Sequence, residues 1–138
     1  MSDLPQNATE VLLRYAAGER RFEGCDFEEE AKFDGAVLAG AVFDGSWFSE
    51  ASFRGCDLRG ASFLRCNVKC ANFQGANLSD TSFREAAVEA ADFEGAILDR
   101  TSFEGAGYFG VTLSDDMDFP HGREKQKESE QGGTSNGG

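Results

Sequence analysis

From Ala31 to Asp115 a large apolar residue recurs at every fifth position, and a small residue stands two places before each of them. Written in fives, the stretch is AKFDG AVLAG AVFDG SWFSE ASFRG CDLRG ASFLR CNVKC ANFQG ANLSD TSFRE AAVEA ADFEG AILDR TSFEG AGYFG VTLSD, seventeen units without insertion. The third position is always Phe, Leu, Val or Tyr, and the first is always Ala, Ser, Cys, Thr or Val. Neither the helical period of 3.6 nor the strand period of 2 produces a repeat of five. The pattern fits a chain that turns a corner in every unit and points one large and one small residue inward.

The number of sides follows from the third-position residues. Taken every fourth unit they sort into ladders: Phe33, Phe53, Phe73, Phe93 and Leu113; Leu38, Leu58, Leu78 and Leu98; Phe43, Phe63, Phe83 and Phe103; Phe48, Val68, Val88 and Tyr108. Steps of fifteen or twenty-five would mix Phe with Leu, so one coil is a square of twenty residues. Surface charges give the same period. Residues n and n+20 are opposite in sign at Asp34 and Arg54, Arg65 and Glu85, Lys69 and Glu89, Asp80 and Arg100, and Arg84 and Glu104. Opposite charges on neighbouring strands stabilise a register, and like charges oppose it.

Over about residues 20–119 this register resembles the pentapeptide-repeat family. The resemblance implies an all-β solenoid, a right-handed quadrilateral parallel β-helix, with the third residue of each unit in the interior and the small first residue beside it. Phe outnumbers Leu at the centre here, which predicts rings stacked in offset along two opposite faces. Such a solenoid needs several units to bury a continuous core. At the spacing of paired strands, four coils and a quarter make a rod about 20 Å long.

The ends break the period. Residues 1–19 form an N-terminal segment in which 7–17 is predicted as a capping helix: Asn7 supplies an N-cap, Glu10 completes a capping box, Gly18 suits the stop, and Val11, Leu12 and Tyr15 make one apolar face. Glu30 is one residue too many between Phe27 and Phe33, and should bulge at a corner or loosen the first partial coil. At the other end Asp116 interrupts the repeat, and Met117 and Phe119 are placed to fold back over Tyr108 and Leu113. Residues 120–138, charged and Gly/Ser-rich, are predicted to be a disordered tail.

Charge narrows the function. With 25 acidic and 13 basic residues the net charge is −12, which disfavours direct binding to nucleic acid or an anionic membrane. No stretch is long and apolar enough for a membrane span, and the start of the chain lacks a signal pattern, so a cytoplasmic location is expected. Cys25, Cys56 and Cys66 stand at small first positions and are expected to be buried, whereas Cys70 falls at a corner. No disulfide, metal or cofactor is expected: His121 is the single histidine and lies in the tail. The recurrent fifth-position Gly is a corner residue, not a phosphate loop. Asp92, Glu94 and Asp99 read as a solvated wall, and Arg54, Arg59, Arg65 and Lys69 as a belt spread over four sides. No catalytic residues emerge.

What remains is surface. Val37, Val42 and Trp47 occupy outward positions of one early coil, and Ile97 and Phe109 do so later. Outward Trp is enriched at contact sites, so the first three form a candidate partner surface. The competing expectation is that Trp47 packs under the N-terminal helix or the Glu30 bulge. The leading reading is a non-catalytic scaffold that binds another protein of unknown identity. The family resemblance offers an alternative, an acidic DNA-mimic rod that binds a type II topoisomerase (DNA gyrase), as members that resist quinolones do. Those members are typically joined end to end at an apolar C-terminal coil, so the chain is expected to be a monomer or an end-to-end dimer.

Overall fold

At every fifth residue from Gly35 to Gly110 the backbone turns through a left-handed conformation. A computed structural model describes residues 4–27 and 29–120 and shows what these corners build. In each unit the first-position N–H closes the corner onto the preceding third-position carbonyl, as in Cys56 to Phe53 at 3.1 Å. The third- and fifth-position N–H groups donate to the coil above, for example Phe53 to Asn72 at 2.7 Å and Gly55 to Gln74 at 2.9 Å. The second-position N–H donates to the coil below, as Asn72 does to Ala51 at 2.9 Å. The result is a set of parallel bridges between residues twenty apart, from Lys32 with Ser52 to Ala87 with Gly107. Each twenty-residue turn therefore joins the next at four places.

Glu30 leaves its mark on this register. Arg21 pairs with Val42 and Asp26 with Trp47, twenty-one apart, before the spacing settles to twenty at Lys32. The extra residue is thus absorbed between Phe27 and Ala31, without shifting any later coil.

The interior is filled by the third-position side chains. Phe33, Leu38, Phe43, Phe48, Phe53, Leu58, Phe63, Val68, Phe73, Leu78, Phe83, Val88, Phe93, Leu98, Phe103 and Leu113 are all buried, and Tyr108 is half-buried. The rings of Phe33, Phe53, Phe73 and Phe93 form one stack, with centroids 4.9–5.3 Å apart and planes within 12°. Phe63, Phe83 and Phe103 form the opposite stack at 5.1–5.2 Å. The two stacks meet edge to face, as Phe73 and Phe83 do at 5.2 Å and 84°. Such contacts add roughly 0.5–1.5 kcal/mol per pair to the area they bury.

At the N-terminal end, α1 (Ala8–Ala16) is capped by Asn7, whose side chain accepts the Glu10 N–H at 2.9 Å. Val11 is fully buried, and Leu12 and Tyr15 pack against the core. The Tyr15 hydroxyl donates to the Ala39 carbonyl at 2.6 Å, and the Arg20 guanidinium lies 3.7 Å above the Tyr15 ring. These contacts tie the helix to the first coil.

The C-terminal end departs from the repeat. The seventeenth unit does not add a rung: β1 (Gly107–Tyr108) and β2 (Val111–Thr112) pair antiparallel. Phe109 and Gly110 between them have φ of 48° and 82°, two successive left-handed residues as a tight hairpin requires. Leu113 consequently does not stack on Phe93. Its N–H donates to Ala106 and its carbonyl accepts from Gly105, both at 2.8 Å. Phe119 takes the space instead, with its ring 5.1 Å from Phe103, 5.0 Å from Tyr108 and 6.1 Å from Phe93. The predicted tail beyond Pro120, with His121, lies outside the described residues.

Replacing Phe73 with Ala empties the middle of an aromatic stack and should destabilise the protein by about 3–5 kcal/mol in denaturant titration. Because coils touch only their neighbours, hydrogen exchange should accelerate in the coils on either side. Ala90→Gly should do the reverse. Ala90 sits at φ 61°, a conformation that costs a side-chain-bearing residue roughly 1–2 kcal/mol. After the entropic cost of Gly, about 0.5–1 kcal/mol of stabilisation should remain in the same titration.

Candidate partner-binding surface

With the interior filled, the walls and the ends are the surfaces left for chemistry. The periodicity assigns no role to the Asn, Asp and Ser that recur at second positions; the structure does. Asn72 Oδ1 accepts the Gln74 N–H at 2.8 Å, Asn67 Oδ1 the Lys69 N–H at 2.9 Å, and Asp92 Oδ1 the Glu94 N–H at 3.0 Å. Asp57, Asn77, Ser82 and Ser102 make the same bond two residues on. These are local side-chain turns that satisfy the fourth-position donor.

Val37, Val42 and Trp47 forgo that bond. Val37 and Trp47 are 57% and 58% exposed, and Val42 is half-buried. They do not form one patch. Val37 is bridged to Asp57, Val42 to Ser62 and Trp47 to Asn67, which places them in three different ladders on successive sides of the coil. Trp47 does not pack under α1. It borders an open groove of about 320 Å³ at the Glu30 bulge, together with Phe27, Glu29, Glu30, Ala31, Phe48, Ser49, Glu50 and Ala51. Ile97 and Phe109 are also exposed, the latter at the hairpin tip.

The charged positions behave unevenly. Of the five stacked opposite pairs, Arg65–Glu85 closes at 2.9 Å and Asp80–Arg100 at 2.7 Å. The Arg100 guanidinium holds the Asp80 carboxyl below the usual carboxylate range. Glu89 and Glu104 turn away from Lys69 and Arg84 to accept backbone N–H groups of the end structure, from Phe109 at 3.1 Å and Asp115 at 3.0 Å. Asp34 and Arg54 make no ion pair with one another, and nothing in the structure explains it. Within the basic belt Arg59 pairs with Asp57 at 2.7 Å, two residues back on its own coil. Exposed pairs of this kind contribute about 0–1 kcal/mol each, so losing three costs the register little.

At the C-terminal end a cleft of about 730 Å³ opens above the last rings, floored by Phe93, Tyr108, Leu113 and Phe119 and rimmed by Asp92, Glu94 and Asp118. Phe109, Val111 and Met117 are exposed around it. Among the described residues no group of three His, Cys, Asp or Glu side chains is placed to hold a metal, and no helix is long and apolar enough to cross a membrane.

The cysteines are all free. Cys56 and Cys66 donate to the carbonyls of Phe33 and Phe43 in the coil below, at 3.0 and 3.1 Å, a bond that Thr81 and Thr101 make with their hydroxyls. Burial pushes the thiols of Cys25 and Cys56 up to about 11 and that of Cys66 to about 12. Cys70 is exposed. A thiol reagent at pH 8 should therefore label one of the four cysteines in the native protein and all four in denaturant. Above about pH 9 the unfolded thiols ionise while the buried ones keep their protons, so stability should fall as pH rises from about 9 to 11. Cys66→Ala should flatten that slope in a series of thermal melts.

Comparison with known proteins accounts for this architecture. The sequence matches the family model of the pentapeptide repeat region over residues 19–103. No curated protein matches it. Among solved structures, a trypsin-treated form of QnrB1, a plasmid-mediated fluoroquinolone resistance protein, is 27% identical with a TM-score of 0.53. That match covers 68% of this chain and 46% of QnrB1, so the chain spans about half the length of that relative. The pentapeptide repeat protein alr5209 from Nostoc PCC 7120 is 21% identical, with 84% and 93% of the two chains covered and a TM-score of 0.43. HetL, from Nostoc sp. strain PCC 7120 and involved in heterocyst differentiation regulation, is 17% identical, with 79% and 100% covered and a TM-score of 0.35. The repeat, its twenty-residue bridges and the family match over most of the chain lead to one conclusion: the chain belongs to the pentapeptide-repeat family.

Proposed function

We propose that this chain is a non-catalytic scaffold, a right-handed quadrilateral β-helix capped by α1, that works by presenting its walls to another protein. The observation that carries this reading is the filled interior: stacked Phe and Leu side chains occupy it from coil to coil, which leaves the outer faces as the surface a partner can use. Those faces are flat ladders of short polar side chains, interrupted by exposed Val37, Trp47 and Ile97. Large apolar residues held outward by a rigid framework suit contact with protein.

A second reading is an acidic DNA mimic directed at a type II topoisomerase. The likeness to QnrB1, a fluoroquinolone resistance protein, favours it, as do the net charge of −12 and the exposed Phe109, Val111 and Met117 at the C-terminal end, a surface suited to end-to-end pairing. Arg54, Arg59, Arg65 and Lys69 interrupt the acidic surface and weigh toward the scaffold. Titration into a DNA gyrase supercoiling assay, with light scattering on the same sample, separates the two. The scaffold reading expects a monomer and unaltered supercoiling at low micromolar concentration; inhibition by a dimer would replace it with the mimic.

A further inference from the structure

We propose that the groove beside Trp47 docks a basic segment of a partner protein, with an Arg or Lys side chain seated over the indole and its charge held by Glu29, Glu30 and Glu50. This rests on the protein-binding reading and adds the chemistry of the partner. The indole is 58% exposed and stacks on no other ring among the described residues. It also does nothing for the local turn. One coil above, Asn67 caps the Lys69 N–H at 2.9 Å, whereas Trp47 leaves the Ser49 N–H without a partner among the described residues. The fold thus gains less from Trp at this position than from the Asn that follows it in the ladder.

The surroundings select the occupant. Glu29, Glu30 and Glu50 line the groove with Trp47, and exposed Asp26 is the bridge partner of Trp47 in the coil below. Among the described residues none of these four carboxylates forms an ion pair, although Lys32 adjoins Ala31 in sequence and the Lys69 carbonyl accepts the Glu50 N–H at 2.9 Å. A cation over the face of an indole is attracted by its quadrupole, and Trp is the best of the aromatic residues for this. The methylene stem of Arg or Lys covers apolar surface while the charged head reaches the carboxylates. A groove of about 320 Å³ admits one such side chain. Phosphate-bearing ligands are repelled by the same carboxylates.

Trp47 is the only tryptophan in the chain, so its emission reports on this site alone. The test titrates the full chain with the amidated peptide acetyl-Gly-Arg-Gly-Arg-Gly at low salt, using the same peptide with Glu in place of Arg as the control. The expected result is a saturable change in emission with the Arg peptide only. Binding should weaken by about five- to tenfold in the Glu29→Gln/Glu30→Gln/Glu50→Gln variant, and likewise in ~1 M salt, where the Debye length is about 3 Å. Trp47→Ala, followed by calorimetry, should abolish it. Thermal midpoints of both variants should match the parent, because these side chains face outward. A flat titration to millimolar peptide, or an equal response to the Glu peptide or in the Gln variant, overturns the site. Such a failure would leave the scaffold reading intact, since that reading is decided by the supercoiling and scattering measurements.

Discussion

The distance between coils governs this molecule. Backbone hydrogen bonds fix parallel strands about 4.8 Å apart, whereas aromatic carbon atoms in contact prefer about 3.5–4 Å. Rings stacked one per coil cannot lie flat on one another at that spacing, so each is displaced sideways from the next. The observed centroid distances of 4.9–5.3 Å, with planes within 12°, are that compromise. The displacement turns ring edges toward the opposite stack, where pairs from Phe53–Phe63 to Phe93–Phe103 meet at 82–85°. The two columns therefore set each other's orientation. A smaller side chain in one column removes both a stacking partner and the edges that hold the other column.

The same constraint explains what the ends do. Coils pair only where their bridging positions face each other, so an irregularity must be confined to a stretch between bridges. The Glu30 insertion is taken up between Phe27 and Ala31, ahead of the regular register. At the other end the register stops when Phe109 and Gly110 both turn left-handed and the strand reverses on itself. The last rings then need a cover from elsewhere, and Phe119 supplies it.

Much of this was legible because interior and exterior are set by position within the unit. The ladders, the coil length, the Asn7 cap and the extra residue at Glu30 all follow from counting. The hairpin did not, because GYFGV fits the template as well as any unit; the fourth-position Phe109, apolar where most units are polar, was the available signal. The side-chain pairings were less legible still. Lys69–Glu89 and Arg84–Glu104 have the right spacing, but unpaired backbone donors at the end of the rod compete for those carboxylates. Val37, Val42 and Trp47, outward residues of one coil, lie on three different sides for a simpler reason: five residues in this fold carry the chain around a corner.

A fold so strictly indexed also indicates where function can sit. Third positions fill the core, first positions are confined to small side chains, and fifth positions make the corner. Second positions are the freest, yet seven of the seventeen carry an Asn, Asp or Ser that caps a backbone donor two residues on. A residue that breaks this rule gives up a local bond worth about 0.5–1.5 kcal/mol. Val37, Val42, Trp47 and Ile97 recover part of that loss through the preference of β-branched and aromatic side chains for extended backbone. Trp47 differs from the other three in its chemistry, a large indole with more than half of its surface in water beside carboxylates that form no ion pair among the described residues. A large aromatic side chain held outward with no capping role is therefore where selection by a partner has the most to explain.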